Sequence, residues 1–215
     1  MTYGDIRDTT LKLINQYTRI GNKINLTYNE QDDVVNRIPA FANDAQLIIA
    51  RGPRPIEASC QLNPYAATDL GANLMFTLPE DLIDIQPGGL LIISPRGPAR
   101  RSSELKQLDD DRIIVPTYQF YHGNAVMLQY YRRPQLLSDS PADSDPIDNV
   151  VTAQEPIPYY CAAQIMLELD AYQHSVLFNM WQDKLNELAK PPQAEHNIIE
   201  DVYDAHGSIW DWGVT

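Results

Sequence analysis

Clustered carboxylates and histidines near the carboxyl terminus are the first residues that could do chemistry. Glu195 and His196 are followed by Asp201, Asp204 and His206, and their side chains offer the donor atoms that divalent metals prefer. Their spacing matches no established metal-binding template. We therefore expect an exposed polar face between the apolar residues of this segment and no metal site.

A second acidic cluster lies in the middle of the chain, where Asp109–Asp111 precede Arg112. Paired carboxylates can serve acid–base catalysis, but adjacent residues of an extended segment point in alternate directions and cannot easily share one substrate. The pattern favours a solvated turn before a strand over 113–115. The sequence also lacks the phosphate-binding loop, dinucleotide, zinc-protease and nucleophile-elbow motifs. We expect no catalytic residue, no cofactor and no enzyme, and we keep a small acidic metal-dependent hydrolase as the alternative.

Arginine is concentrated in a segment rich in proline and glycine, from Pro95 to Arg101. Arg96, Arg100 and Arg101 are expected at the tip of a hairpin, where guanidinium groups can pair with acidic surface on a neighbour or with DNA phosphate. A hairpin tip that serves solubility is the other interpretation.

The last segment of the chain, residues 193–215, combines acidic residues with apolar ones and has no Lys or Arg. It has too much apolar surface for a simple solubility tail, which indicates an arm that orders on a partner. Packing against its own domain is the open alternative. The expected contact residues are Ile198, Ile199, Val202, Tyr203, Trp210 and Trp212.

Helical periodicity at both ends of the chain must position these residues. The pattern predicts a helix over 3–17, capped by Thr2, and a second from about 31 to 50 that Pro39 should kink or divide. A long amphipathic helix is predicted over 158–189, with a bend marked by His174 and Ser175. One of its apolar stripes begins at Cys161; the other is Leu177, Trp181, Leu185 and Leu188.

Between the helices, short apolar runs separated by turn residues predict antiparallel strands over 74–78, 90–93, 113–115 and 125–131. The expected class is α+β: a helical bundle of the N-terminal helices and the long C-terminal helix, with a small antiparallel β-domain inserted and an extended C-terminal arm. The predicted boundaries are 1–55 and 156–190 for the helical core, 56–134 for the β-domain, 135–155 for an acidic loop that is solvated and weakly ordered alone, and 191–215 for the arm.

Composition narrows the class of function. The 215 residues include 16 basic and 29 acidic ones, so the formal net charge is −13 at pH 7. Such a charge disfavours tight nucleic-acid binding, and it suits solubility, basic partners or a channel through which DNA passes without adhering. No stretch of the sequence is apolar enough for a membrane span. The distant cysteines Cys60 and Cys161 form no disulfide framework, so we expect assembly in a reducing cytoplasm.

Five short segments, in their order and spacing, resemble the head-to-tail adaptor (connector) proteins of tailed bacteriophages. The resemblance covers residues 5 to about 189, and the long C-terminal tail departs from it. The segments are Asp8-Thr9-Thr10-Leu11-Lys12-Leu13-Ile14-Asn15, Ile38-Pro39-Ala40-Phe41-Ala42-Asn43-Asp44-Ala45-Gln46, Phe76-Thr77-Leu78-Pro79-Glu80-Asp81, Gln129-Tyr130-Tyr131-Arg132-Arg133-Pro134 and Ile157-Pro158-Tyr159-Tyr160-Cys161-Ala162-Ala163.

This resemblance implies a structural virion protein of the neck, present in twelve copies as a ring beneath the portal. The ring would join the capsid portal to tail or nozzle proteins and form part of a channel through which packaged DNA passes without sequence-specific binding. Another neck or tail-completion protein of the virion is the nearest alternative, and a cytoplasmic regulatory module is a more distant one.

Overall fold

The computed structural model describes residues 1–17 and 28–190. Its first helix begins with a side-chain cap. Helix α1 spans Tyr3–Tyr17. The Asp5 side chain accepts a hydrogen bond from the Thr2 amide at 2.8 Å, and the Asp5 amide donates to the Thr2 hydroxyl at 3.3 Å. This reciprocal pair satisfies donors that a helix start leaves open. The predicted span and cap of α1 are confirmed.

Helix α2 spans Tyr28–Arg51 and continues through Pro39. Pro39 therefore does not divide the helix, and the kink that was the other expectation stays a prediction; proline still removes one backbone donor. The residues around it explain the continuity, because Ile38 and Ala42 are fully buried against neighbouring helices. Tertiary packing offsets the lost hydrogen bond.

The C-terminal helical region consists of two helices, α3 (Ile157–Leu169) and α4 (Ala171–Ala189). Asp170 between them is extended, with φ −155° and ψ 103°. Its carboxylate accepts hydrogen bonds from the amides of Tyr172 at 2.9 Å and Gln173 at 3.3 Å, so it caps α4. The predicted helix is present, but its break lies at Asp170 and not at His174.

The middle of the chain forms eight strands: β1 (Ile56–Leu62), β2 (Thr68–Asp69), β3 (Asn73–Thr77), β4 (Leu82–Ile93), β5 (Arg100–Ser102), β6 (Lys106–Gln107), β7 (Arg112–Pro116) and β8 (Ala125–Arg132). They pair into two four-stranded antiparallel sheets with strand orders β1-β8-β4-β5 and β2-β3-β7-β6. The predicted runs lie within or at the edges of β3, β4, β7 and β8.

The inner faces of the two sheets share one apolar cluster, because alternate residues of each strand point to the same side. Phe76 stacks on Phe120 with ring centroids 5.6 Å apart. The buried members, here called the sandwich cluster, are Leu62, Leu74, Phe76, Leu78, Leu90, Ile92, Ile113, Val115, Val126, Leu128 and Tyr130.

A second apolar cluster, here called the helical cluster, lies between α1, α2, α3 and α4. Alanines at the contacts let the helix backbones approach closely, and Trp181 packs on Tyr160 with centroids 5.0 Å apart. Its large fully buried members are Ile6, Ile14, Ile38, Ile49, Ile157, Ile165, Met166 and Leu177, and its buried alanines are Ala42, Ala45, Ala153, Ala162 and Ala163.

The acidic loop 135–155 is more ordered than the sequence indicated. Ile147 and Ala153 are buried in the helical cluster, and the buried Gln154 donates to the carbonyls of Ile147 at 2.9 Å and Asn149 at 2.8 Å. These apolar and amide side chains among the aspartates hold the loop against the helices.

The architecture confirms the predicted α+β class, with N-terminal helices, antiparallel sheets in the middle and helix at the C-terminal side. Whether 56–134 folds as a domain of its own stays a prediction. None of the described helices is long and apolar enough to cross a membrane.

Candidate functional site

The expected arginine hairpin exists as the turn between β4 and β5. Arg96 is exposed in the turn, and Arg100 and Arg101 are exposed in β5, which pairs with β4. Because neighbouring residues of a strand point to opposite faces, Arg100 and Arg101 point in different directions. The three guanidinium groups therefore lie on one exposed element but do not form one cluster.

A buried glutamine holds the base of this hairpin. Gln119 is fully buried; its Oε1 accepts a hydrogen bond from Arg100 at 3.2 Å, and its Nε2 donates to Glu104 at 2.5 Å. The Tyr118 hydroxyl also bonds to Glu104. The sequence interpretation missed Gln119, because a single glutamine in a segment of aromatic residues has no local signal of burial.

Two strands lie at the edges of the same sheet. β1 is one edge and β5 is the other, and among the described residues each pairs with a single neighbouring strand. An edge strand presents backbone donors and acceptors that another chain can pair with. Both edges are therefore candidate assembly surfaces.

Two aspartates of the acidic loop pair with arginines. Arg132 of β8 donates two hydrogen bonds to Asp148, at 2.6 and 2.8 Å, and the Gln135 amide donates to the same carboxylate at 2.6 Å. Hydrogen bonds from Arg132, and secondarily from this amide, lower the pKa of Asp148. Asp143 pairs with Arg7 of α1 at 2.5 Å. The loop thus connects the strands to the first helix.

The central acidic cluster forms a charged turn, as predicted. Arg112 Nε donates to Asp109 at 2.8 Å, and this bond lowers the pKa of the Asp109 carboxyl. The pKa of Asp111 is raised, chiefly by the neighbouring Asp109 carboxylate. Arg112 thus holds Asp109 in an ion pair within this turn.

Aliphatic and aromatic side chains are exposed where α3 meets α4. The first predicted helical stripe is buried at Cys161 and Ile165, but Leu169 is 46% exposed and Tyr172 is 63% exposed. Leu167 beside them is 54% exposed. The break at Asp170 turns this end of the stripe to the surface, where an adjacent subunit could cover it.

Three further candidates from the sequence are a metal-binding group, the buried cysteine and the residues of the C-terminal arm. Within the described residues, no group of three or more His, Cys, Asp or Glu residues could hold a metal ion. Cys161 is fully buried, which raises its thiol pKa and makes it unreactive. The remaining expected residues lie outside the described part of the chain: Glu195, His196, Ile198, Ile199, Asp201, Val202, Tyr203, Asp204, His206, Trp210 and Trp212.

The segments that carry the resemblance meet in the fold. The Tyr130 hydroxyl donates to Asp81 at 3.1 Å, which joins the third and fourth segments, and burial together with that carboxylate raises the pKa of Tyr130 to about 12. The Thr10 hydroxyl lies 3.5 Å from the Pro158 carbonyl, which joins the first and fifth. These residues therefore act in packing.

Comparison with known proteins identifies the family. No curated protein matches this sequence. A family model described as SU10 adaptor protein matches residues 1–199, which includes both clusters and both sheet edges. The resemblance to phage head-to-tail adaptors is thereby confirmed, and the chain belongs to the SU10 adaptor protein family.

Proposed function

We propose that this protein forms a ring of twelve copies beneath the portal, joins the capsid to the tail and forms part of the channel through which packaged DNA passes. The observation that carries this proposal is the family match over residues 1–199, because an adaptor family implies a structural component of the virion neck. In this role the protein has no catalytic activity, and it assembles in the host cytoplasm.

Charge supports a channel role. The net charge of −13 repels DNA, so a wall built from this chain would let DNA slide without adhering. The exposed apolar side chains around Tyr172 and the exposed edges of the first sheet offer surface for subunit and partner contacts.

The direct test mixes the purified chain with the portal protein of the same virus. Native mass spectrometry and electron microscopy should detect a twelve-copy ring of this chain on the portal. A chain that binds tail proteins but never the portal would instead be a neck or tail-completion protein. A chain that stays monomeric with all of these partners would contradict the proposal.

We propose further that the arm docks on the portal or on an adjoining subunit, with Trp210 and Trp212 as anchors. Large aromatic residues commonly dominate the energy of interfaces. Deleting residues 193–215 should abolish assembly onto the portal, while circular dichroism shows an unchanged core. Exchanging both tryptophans for alanine in the full chain should give the same loss. Normal assembly by both variants would disprove the role of the arm.

Arg96, Arg100 and Arg101 are proposed to contact an acidic neighbour or DNA. All three are exposed on the β4–β5 hairpin, where guanidinium groups can form charge-assisted hydrogen bonds. Exchanging the three for alanine should weaken assembly or retention of packaged DNA in reconstituted particles. Exchanging Lys12, Arg51 and Lys106 for alanine removes the same charge at exposed positions outside this hairpin and serves as the control. Unchanged assembly and retention would disprove this contact.

A further inference from the structure

Among the described residues, no strand pairs with the outer side of β1, and this edge of the first sheet carries none of the usual protection. β1 has seven residues, and its ladder with β8 runs from Ile56 opposite Arg132 to Leu62 opposite Val126 without a shift in register. Natural edge strands are usually short, bulged or guarded by lysine or proline. β1 is regular and has only Glu57 as a charged residue, so it is suited to receive another strand.

The opposite edge of the same sheet is basic. β5 has three residues, of which Arg100 and Arg101 are exposed. Pairing β5 with β5 of a second copy would bring these arginines together, which is unfavourable for like charges directly opposite each other. A strand with a carboxylate fits this edge better.

The two edges match in direction. Each neighbouring pair in the order β1-β8-β4-β5 is antiparallel, so β5 runs opposite to β1. If β1 of a second copy is placed beside β5, the new pair is therefore antiparallel as well. The added strand therefore continues the alternating strand directions of the sheet.

The two edges also match in side-chain direction. Arg101 lies opposite Leu91, Leu91 opposite Met127, and Met127 opposite Gln61. Directly opposite residues share a face, and so do alternate residues of one strand. Arg101 and Glu57 consequently lie on the same face of the sheet, and both are exposed.

We propose that β5 of one copy pairs with β1 of the next, with Arg101 opposite Glu57, so that the sheet continues from copy to copy. This inference rests on the proposed ring. Each copy then uses two different edges, which gives the head-to-tail contact that a ring requires, whereas a β1–β1 contact would stop at a dimer. Charge selects the register, because Glu57 is the one carboxylate in β1.

Cross-linking of single-cysteine chains tests the contact. One chain carries Glu57→Cys and the other Arg101→Cys, each with Cys60→Ser, while Cys161 is buried and does not react. A short bis-maleimide reagent should link the mixture into covalent dimers and should link neither chain alone. The double variant Glu57→Cys/Arg101→Cys should give a ladder of higher oligomers. A dimer of Ser59→Cys/Cys60→Ser chains alone would show β1–β1 pairing and overturn the proposal.

Charge exchange is the second test. Glu57→Arg or Arg101→Glu should each lower the association constant between subunits roughly five- to tenfold, while the double exchange should restore it. Arg96→Glu changes the same charge in the turn outside β5 and should have little effect. Sedimentation velocity measures the fraction in rings. Unchanged assembly of both single variants, together with no link in the cysteine mixture, overturns the inferred contact.

The experiments distinguish failure of the proposed function from failure of the β5–β1 contact. Rings on the portal with no β5–β1 link would leave the proposed function intact and disprove only this sheet. If the wild-type chain forms no ring with or without portal protein, the proposed function is disproved, and the inferred contact is disproved with it.

Discussion

The helical cluster and the sandwich cluster are built from different parts of the chain. The sandwich cluster uses residues between Leu62 and Tyr130, within one continuous stretch. The helical cluster joins α1 and α2 to α3 and α4, and it also needs the acidic loop. The first sheet has two edge strands at the surface, whereas the helices bury most of their apolar side chains against each other. The difference indicates that the sandwich offers backbone edges for assembly, while the helices contribute most of their apolar side chains to stability and leave those around Tyr172 exposed.

The largest effects on stability are expected when one large side chain is removed from each cluster. Trp181→Ala should cost about 3–5 kcal/mol and Leu128→Ala about 2–5 kcal/mol of unfolding free energy, because each leaves a cavity in a buried site. Urea unfolding followed by circular dichroism measures both. If Trp181→Ala shifts the helical signal while a probe in the sandwich stays unchanged, the clusters unfold separately. A single shared transition would contradict the prediction that 56–134 is a domain of its own.

Gly89→Ala probes the sandwich alone. A Cβ at this position would lie 2.4 Å from Ile85 Cγ2 and 3.1 Å from the Gln86 carbonyl oxygen. The Ile85 side chain or the backbone must shift to relieve this overlap, so we expect a loss of about 1–3 kcal/mol. Gly71→Ala, in the turn between β2 and β3, is the contrast, because its strain comes from φ +83° and nothing lies within 4 Å of the added Cβ. Equal stability of Gly89→Ala and wild type in thermal unfolding would refute the close packing.

Asp148→Asn probes the connection between the two regions. The bidentate bond to Arg132 is partly buried, so we expect a loss of about 1–2 kcal/mol at pH 7. Arg132 lowers the folded-state pKa of Asp148, so this stability is present above the unfolded value and is lost as the pH falls through the folded value. The wild type and the variant should converge in urea unfolding well below pH 4.

The control for that exchange is Glu168→Gln. Glu168 also forms a bidentate pair, with Arg37 at 2.7 and 2.8 Å, but its side chain is 61% exposed. Solvent screens such a pair, so the expected loss is below about 1 kcal/mol. A larger loss for Glu168→Gln than for Asp148→Asn would contradict the special place of the Arg132 pair.

The smallest expected effect concerns the helical side alone. Asp170→Ala removes the cap of α4 and should cost about 1 kcal/mol. Asp170→Asn keeps an oxygen acceptor for the Tyr172 and Gln173 amides and should cost less. Thermal unfolding measures both. Equal stability of Asp170→Ala and wild type would show that packing alone begins α4.

Periodicity was enough to predict much of the fold. The strands over 113–115 and 125–131 and the helix over 3–17 follow from apolar spacing, which depends on residues only a few positions apart. The helix break had a local signal too, since Asp170 followed by Gln173 resembles a capping box. The order of the acidic loop had none, because Arg7 and Asp143 are separated by 136 positions.

The candidate assembly surface, too, can be predicted from the sequence only in part. The clustering of Arg96, Arg100 and Arg101 is visible in the sequence, and so is the family to which the chain belongs. The place of β1 at a sheet edge, and the shared face of Glu57 and Arg101, are not visible there. Strand order depends on which distant segments pair, and local side-chain alternation carries no information about that choice. Folding alone therefore decided which strands stayed open for a neighbour.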